Sequence, residues 1–154
     1  MIRTLALVRH GLSAGQAPEA PLLPEGAAYL RRLGAKLSAE GWKPAVILTS
    51  PYARAHASAS ILAEALGVTA APLVLDELTP ESEPADALAA ITAATALETS
   101  ALVVAHLPLL GRLAQELVGE DSSFSPGTLV EIARDGDGTA RLIRRIGPRD
   151  VTGA

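Results

Sequence analysis

Leu5-Ala6-Leu7-Val8-Arg9-His10-Gly11 is the stretch on which the fold turns. Four apolar residues run straight into a cation, an imidazole and a glycine. An uninterrupted apolar run of this length is the pattern of a strand buried on both faces, so Arg9 and His10 fall at its C-terminal end. In open α/β sheets that edge is where ligands bind. A histidine there has the chemistry of a nucleophile: one ring nitrogen attacks while a hydrogen bond to the other fixes the tautomer. The planar fork of Arg9 suits a phosphoryl group and stays charged at any ordinary pH. Gly11 is expected to let the backbone turn sharply and a ligand approach closely. Taken alone, the triplet is also compatible with a chance sequence at a strand end, so its meaning depends on what the other strands deliver.

Outward from this strand, residues 12–23 form a loop rich in Ala, Gly and Pro, ending in Pro24 at a helix start with Glu25 in the first turn. Leu30, Leu33 and Leu37 mark that helix's apolar face, and Gly41 ends it. Ala45-Val46-Ile47-Leu48-Thr49 reads as a second buried strand. Ser50 and Pro51 are placed to cap and open the next helix, with Ala57, Ile61 and Ala65 on one face and Gly67 as its stop. A short strand around Leu73-Val74-Leu75 leads into the polar stretch 76–84, and Asp86 to Ala96 is helical in pattern. Ala101-Leu102-Val103-Val104-Ala105 is a third buried strand, ended by His106. Pro108 opens a helix with Leu109, Leu110, Leu113 and Leu117 toward the core, stopped by Gly119. The period then changes. Thr128 to Ala133 and Thr139 to Ile146 read as a hairpin about Asp135-Gly136-Asp137-Gly138. That tetrad is a turn, since the other ligands of a calcium loop are missing. Residues after Gly147 are expected to be a loose tail. Strands alternating with helices predict a three-layer α/β/α domain with a mostly parallel sheet, and the hairpin adds antiparallel edge strands.

The 154 residues suffice for one domain with a sizeable core. Apolar residues make up 49% and charged residues 19%, the balance of a globular chain; aromatics are 3%, so the core must be aliphatic. A net charge of -4 argues against nucleic acid as a partner. Without cysteine there is neither a disulfide framework nor a thiolate metal site. No secretory leader pattern or bilayer-length apolar run stands out, so a soluble cytoplasmic protein with no membrane partner is the expectation.

Three buried strands each end in polar groups: Arg9 and His10, then Ser50 with Arg54 a helical turn on, then His106. A parallel sheet aligns such ends at one rim. Two arginines and two histidines there would make a positive site for a small dianion such as phosphate, assisted by helix N-termini at Pro51 and Pro108. Each residue also has a plainer reading, a structural strand-end histidine for His106 and a solvated surface arginine for Arg54. His56 points away from Arg54 on a helix and is taken as surface.

Leu7-Val8-Arg9-His10-Gly11, Ser50-Pro51-Tyr52-Ala53-Arg54, a glutamate after a short strand and a late strand ending in histidine resemble, in order and spacing, the histidine phosphatase superfamily. The resemblance covers nearly the whole chain and implies the phosphoglycerate mutase-like fold in a single domain, 1–154. Glu77-Leu78-Thr79-Pro80 and His106-Leu107-Pro108-Leu109-Leu110-Gly111 resemble, within it, the small bacterial phosphohistidine phosphatases of the SixA type. Mutases and acid phosphatases of the superfamily carry extra helical segments that a chain this short lacks. The resemblance implies that His10 becomes phosphorylated and that Arg9, Arg54 and His106 bind the phosphoryl oxygens. Glu77 either donates a proton to the leaving group, as in mutases, or is a solvated loop carboxylate. An imidazole that leaves neutral from a phosphoimidazolium, its conjugate acid having a pKa of roughly 6.5, needs such an acid less than an alcohol does.

Two departures stand out. Ala20-Pro21-Leu22-Leu23 occupies the place of an Arg-Pro-Leu-Thr pattern, removing one anion contact and a helix cap worth about 1 kcal/mol. Ser58 replaces a threonine. The expected function is therefore a phosphatase working through a phosphohistidine intermediate, with no cofactor and no metal. Its substrate is a phosphohistidine protein or, alternatively, a small phosphomonoester. A phosphate-binding interaction module without turnover, and a transition metal held by His10 and His106, are the readings of other classes.

Overall fold

The computed structural model describes residues 3–95, 100–120 and 123–151. Six strands, β1 (Thr4–Arg9), β2 (Val46–Thr49), β3 (Leu73–Val74), β4 (Ser100–Ala105), β5 (Leu129–Arg134) and β6 (Ala140–Ile146), form one sheet in the order β3-β2-β4-β1-β5-β6. The first four are mutually parallel, whereas β5 runs antiparallel to β1 and β6 antiparallel to β5. Helices α1 (Pro24–Ala39) and α2 (Ala53–Leu66) cover one face, and α3 (Pro84–Ala94) and α4 (Leu109–Val118) the other. The expected three-layer architecture is therefore present.

Alternation along β1 explains the two cores. Leu5 and Leu7 pack with Ile91, Leu109 and Leu113 on one side, while Ala6 and Val8 pack with Leu30, Leu33 and Leu62 on the other. Burial of both faces is what the unbroken apolar runs encode.

Several boundaries differ from the sequence reading. Pro24 opens α1, and its cap Leu23 makes no side-chain bond, as its chemistry requires. Helix α2 does not begin at Ser50-Pro51 but at Ala53, with Tyr52 as its cap residue. The Ser50 hydroxyl is instead used at the strand end, where it accepts the Tyr52 amide hydrogen at 3.2 Å. The buried face of α2 is Ala55, Ala59, Leu62 and Leu66, rotated from the expected Ala57, Ile61 and Ala65, which are only half-buried. So many alanines leave the apolar period ambiguous. Helix α3 starts at Pro84, two residues early, and Ala96 lies outside the described residues. Pro108 precedes α4 as its cap residue.

The hairpin forms where expected, but β5 is not an edge strand. It lies inside the sheet beside β1, and of the two hairpin strands β6 alone is at an edge. Continuous burial from Leu129 to Ile132 fits that interior place. The acidic turn is closed by its own side chains: Thr139 donates to Asp135 and Asp137. The segment after Gly147 is not loose up to residue 151. Pro148–Asp150 is a short 3-10 turn, the Gly147 amide donates to the Asp150 carboxylate at 2.8 Å, and Val151 is buried against the α1 side of the core.

Candidate active site

Strand register brings the polar groups together. Arg9 is level with Ala105, and Thr49 with Val104, so His10, His106 and Ser50 are the next residues at one rim. Backbone bonds fix the ends: the His10 amide donates to Ala105 at 3.1 Å and the Ser50 amide to Val104 at 3.1 Å. From the other side the Gly127 amide donates to the carbonyls of Arg9 and His10, just before β5 begins.

His10 is buried, and its Nδ1 lies 2.7 Å from the Gly11 carbonyl oxygen. A carbonyl only accepts, so Nδ1 carries the hydrogen and Nε2 holds an unprotonated lone pair. That lone pair faces the Nε–H of Arg54 at 3.3 Å. Gly11 does not offer its backbone to a ligand, contrary to expectation. Its amide donates to Ser58 Oγ at 3.0 Å, and a Cβ there would lie 2.9–3.2 Å from Leu22, Leu30 and the Gly26 carbonyl. Close packing against α1, not an unusual φ, is what demands glycine. The Ser58 hydroxyl in turn donates to the Arg54 carbonyl at 2.7 Å, tying β1 to α2.

Arg54 is no surface residue: it is 1% exposed. Its Nη1 donates to the Ala17 carbonyl at 2.7 Å and its Nη2 to the Gln16 carbonyl at 3.2 Å, so the loop before α1 orients the guanidinium. Its face lies over the Tyr52 ring, 5.2 Å from the centroid. The same ring meets His106 edge-on at 4.9 Å. His106 is 1% exposed; its Nε2 lies 2.7 Å from Ser50 Oγ, and its Nδ1 is buried with no partner among the described residues. The two imidazoles are 5.0 Å apart between ring centroids. Arg9 donates through Nη1 to the Phe124 carbonyl at 2.9 Å, while its Nε has no partner among the described residues. A cleft of about 540 Å³ opens beside Arg9, between Leu107, Arg112 and Phe124.

The structure thus brings Arg9, His10, Arg54 and His106 together. It corrects the source of positive charge, however. Burial, reinforced by the charges of Arg54 and Arg9, lowers the His10 pKa to about 4 despite the opposing Gly11 bond. Burial, then His10 and the two arginines, lowers that of His106 to about 3. Both rings are therefore neutral near pH 7, and only the two guanidiniums supply charge. Neutrality leaves the His10 lone pair available. The N-terminus of α2 has one amide fewer to offer than expected, because its first, at Ala53, already donates to the Pro18 carbonyl at 2.9 Å.

Glu77 is not drawn into the cluster. It sits exposed in a 3-10 turn, Asp76–Leu78, that follows β3, held near the same rim by the Leu75 amide donating to Thr49 at 2.9 Å. Its carboxylate makes no hydrogen bond among the described residues. His56 is exposed, as expected. No group of three or more His, Asp or Glu arranged to hold a metal ion occurs among the described residues. No described helix is long and apolar enough to cross a membrane. The carbonyls of Gln16, Ala17 and Phe124 have no sequence signature, and the Tyr52 ring is visible only as part of the Ser-Pro-Tyr-Ala-Arg stretch.

A sequence profile of the histidine phosphatase superfamily, branch 1, matches residues 5–81, half of the chain. The protein histidine phosphatase SixA, solved in complex with tungstate, superposes with a TM-score of 0.89 at 26% identity, over 97% of this chain and 99% of that one. A SixA-type phosphohistidine phosphatase from Nakamurella multipartita gives 0.81 at 25% identity, over 95% and 96%. One from Agrobacterium tumefaciens, at 22% identity and 0.82, covers 96% of this chain and 99% of its own and shares the fold. No curated protein matches the chain. This protein belongs to the histidine phosphatase superfamily. It is a phosphatase, a hydrolase acting on a phosphorylated substrate.

Proposed function

We propose that the chain, acting as one domain, removes the phosphoryl group from a protein phosphohistidine through a phosphorylated His10. One observation carries this reading: the Gly11 carbonyl holds Nδ1–H of His10, leaving the neutral Nε2 lone pair directed at the arginine cluster. A site made only to bind phosphate has no use for such a lone pair. In the first step Nε2 of His10 forms a bond to phosphorus as the N–P bond of the substrate's phosphoimidazolium, protonated on its other ring nitrogen, breaks; neutral imidazole leaves and His10 becomes the phosphoimidazolium. Water then attacks the phosphoryl group on His10, inorganic phosphate departs and the neutral ring returns. Arg9, Arg54 and His106 neutralise or hydrogen-bond the phosphoryl oxygens, the main source of rate enhancement in such transfers. The exposed place of Glu77 fits a leaving group that needs little acid. The tungstate complex of the SixA relative supports a tetrahedral oxyanion as the ligand of this arrangement.

The test is a comparison of phosphohistidine peptides with a panel of phosphomonoesters, in the presence of a chelator. Faster turnover of the phosphohistidine peptides is expected, with an acid-labile phosphoenzyme trapped on the wild type. Preference for a monoester would replace the substrate assignment. Binding without turnover of any substrate would overturn the mechanism.

A further inference from the structure

We propose that Ser50 is a positioning residue that fixes the tautomer of His106, making it a neutral hydrogen-bond donor through Nδ1 to the transferring phosphoryl group. The inference rests on the phosphatase reading above but concerns a residue to which that reading assigns no role. Ser50 Oγ accepts the Tyr52 amide hydrogen at 3.2 Å and lies 2.7 Å from His106 Nε2. A hydroxyl has one hydrogen. The Tyr52 amide takes one of the oxygen's two lone pairs, and among the described residues His106 Nε2 is the one acceptor paired with this hydroxyl, so in this proposal the Ser50 O–H donates to Nε2. A neutral imidazole whose Nε2 accepts must carry its hydrogen on Nδ1.

That Nδ1 is buried with no partner among the described residues. A buried N–H left unpaired costs on the order of 1–3 kcal/mol, so an orphan of this kind calls for an explanation. It belongs to a ring whose centroid lies 5.0 Å from that of His10. A phosphoryl oxygen on its way to His10 Nε2 is the acceptor that would complete it. Burial, which disfavours the imidazolium, keeps His106 a donor by tautomer rather than by charge. Ser50 itself touches no reacting atom.

The experiment has two readouts. In the wild-type protein without substrate, nitrogen-15 NMR of the histidine rings should show His106 protonated at Nδ1 and bare at Nε2. Kinetically, Ser50→Ala should lower kcat by about tenfold or more with KM changed less than threefold, and Ser50→Thr, which keeps the hydroxyl, should restore most of it. The Ser50→Ala spectrum should show mixed His106 tautomers. A wild-type spectrum with His106 protonated at Nε2 would overturn the proposal whatever the substrate, as would a Ser50→Ala enzyme with wild-type kcat. Equal losses in the alanine and threonine variants would also overturn it, by pointing to packing rather than the hydroxyl. The spectrum requires no turnover, so it separates failure of this assignment from failure of the phosphohistidine reading.

Discussion

Replacing Arg54 with lysine keeps the charge and removes the fork. The guanidinium has five N–H groups; three are spent on His10 Nε2, Ala17 and Gln16, which leaves two for a phosphoryl group. A lysine ammonium has three hydrogens at a single point and cannot span the loop carbonyls, the nucleophile and an anion together. Removing one preorganised donor from developing charge costs roughly 10²–10³-fold in kcat, about 2.7–4 kcal/mol. Stability should respond far less. Gln16 and Ala17 are exposed, so water replaces the lost donor at their carbonyls and the net cost is on the order of 1 kcal/mol. For a chain of this length that lowers Tm by roughly 2–4 °C. Arg54→Lys should therefore melt nearly as the wild type does while kcat on an aryl phosphate falls by two to three orders of magnitude. Stopped-flow release of the aryl alcohol, with a calorimetric melt of the same sample, reads both. If the variant kept more than a third of kcat, the fork would be irrelevant and the geometric argument wrong. A large drop in Tm with the same kinetic loss would show that Arg54 holds the fold rather than the phosphoryl group.

His10→Ala should abolish turnover and phosphoenzyme trapping with a folded circular-dichroism spectrum; residual activity of a tenth or more, about 1.4 kcal/mol in barrier, would remove the covalent step. Glu77→Gln should change phosphohistidine hydrolysis less than threefold, and should cost alkyl phosphate hydrolysis, where measurable, about 10²–10⁴-fold; equal losses on both would disprove the link to leaving-group protonation. Stability should fall with acid before the carboxylates titrate. The two histidines have folded pKa values of about 4 and about 3 against 6.5 unfolded, so below pH 6.5 the unfolded chain takes up protons that the folded one refuses. Their contribution is complete above pH 6.5 and is lost at about 1.4 kcal/mol per pH unit per group as pH falls toward the folded values, and urea titrations of wild type and His10→Gln/His106→Asn should show the flatter slope in the double variant. Gly127 has a φ of +84° and lies against the Tyr29 ring, so Gly127→Ala should cost at least about 1–2 kcal/mol from the backbone alone, seen as a lower Tm with a displaced Arg9-His10 segment and reduced kcat.

The places where sequence reading slipped share a cause. Ser50-Pro51 has the chemistry of a helix start, yet the serine hydroxyl lies where His106 and the Tyr52 amide converge on it, and a tertiary partner outranks a local cap. The alanines of α2 carry too little contrast to reveal which face is buried. β5 was legible as a strand and not as an interior one, because its neighbour β1 is more than a hundred residues away in sequence. Arg54 was expected at the site, but nothing local shows that the carbonyls of Gln16 and Ala17 will receive it.

Hydrophobic order along the chain was enough to determine the strands that build the rim and the alternation with helices, and the strand ends together with the family resemblance singled out Arg9, His10, Arg54 and His106. The strands and their ends follow from local rules: apolar runs must be buried, and a buried strand leaves its polar residues at its end. Tertiary structure alone decided the protonation and aim of those residues. The His10 tautomer is set by a carbonyl held in place through Ser58 and α2. The neutrality of both imidazoles comes from burial beside two guanidiniums, and Glu77 stays outside their hydrogen bonds. Desolvation and hydrogen-bond direction depend on groups brought together across the whole fold, and a linear pattern of residue types carries no record of them.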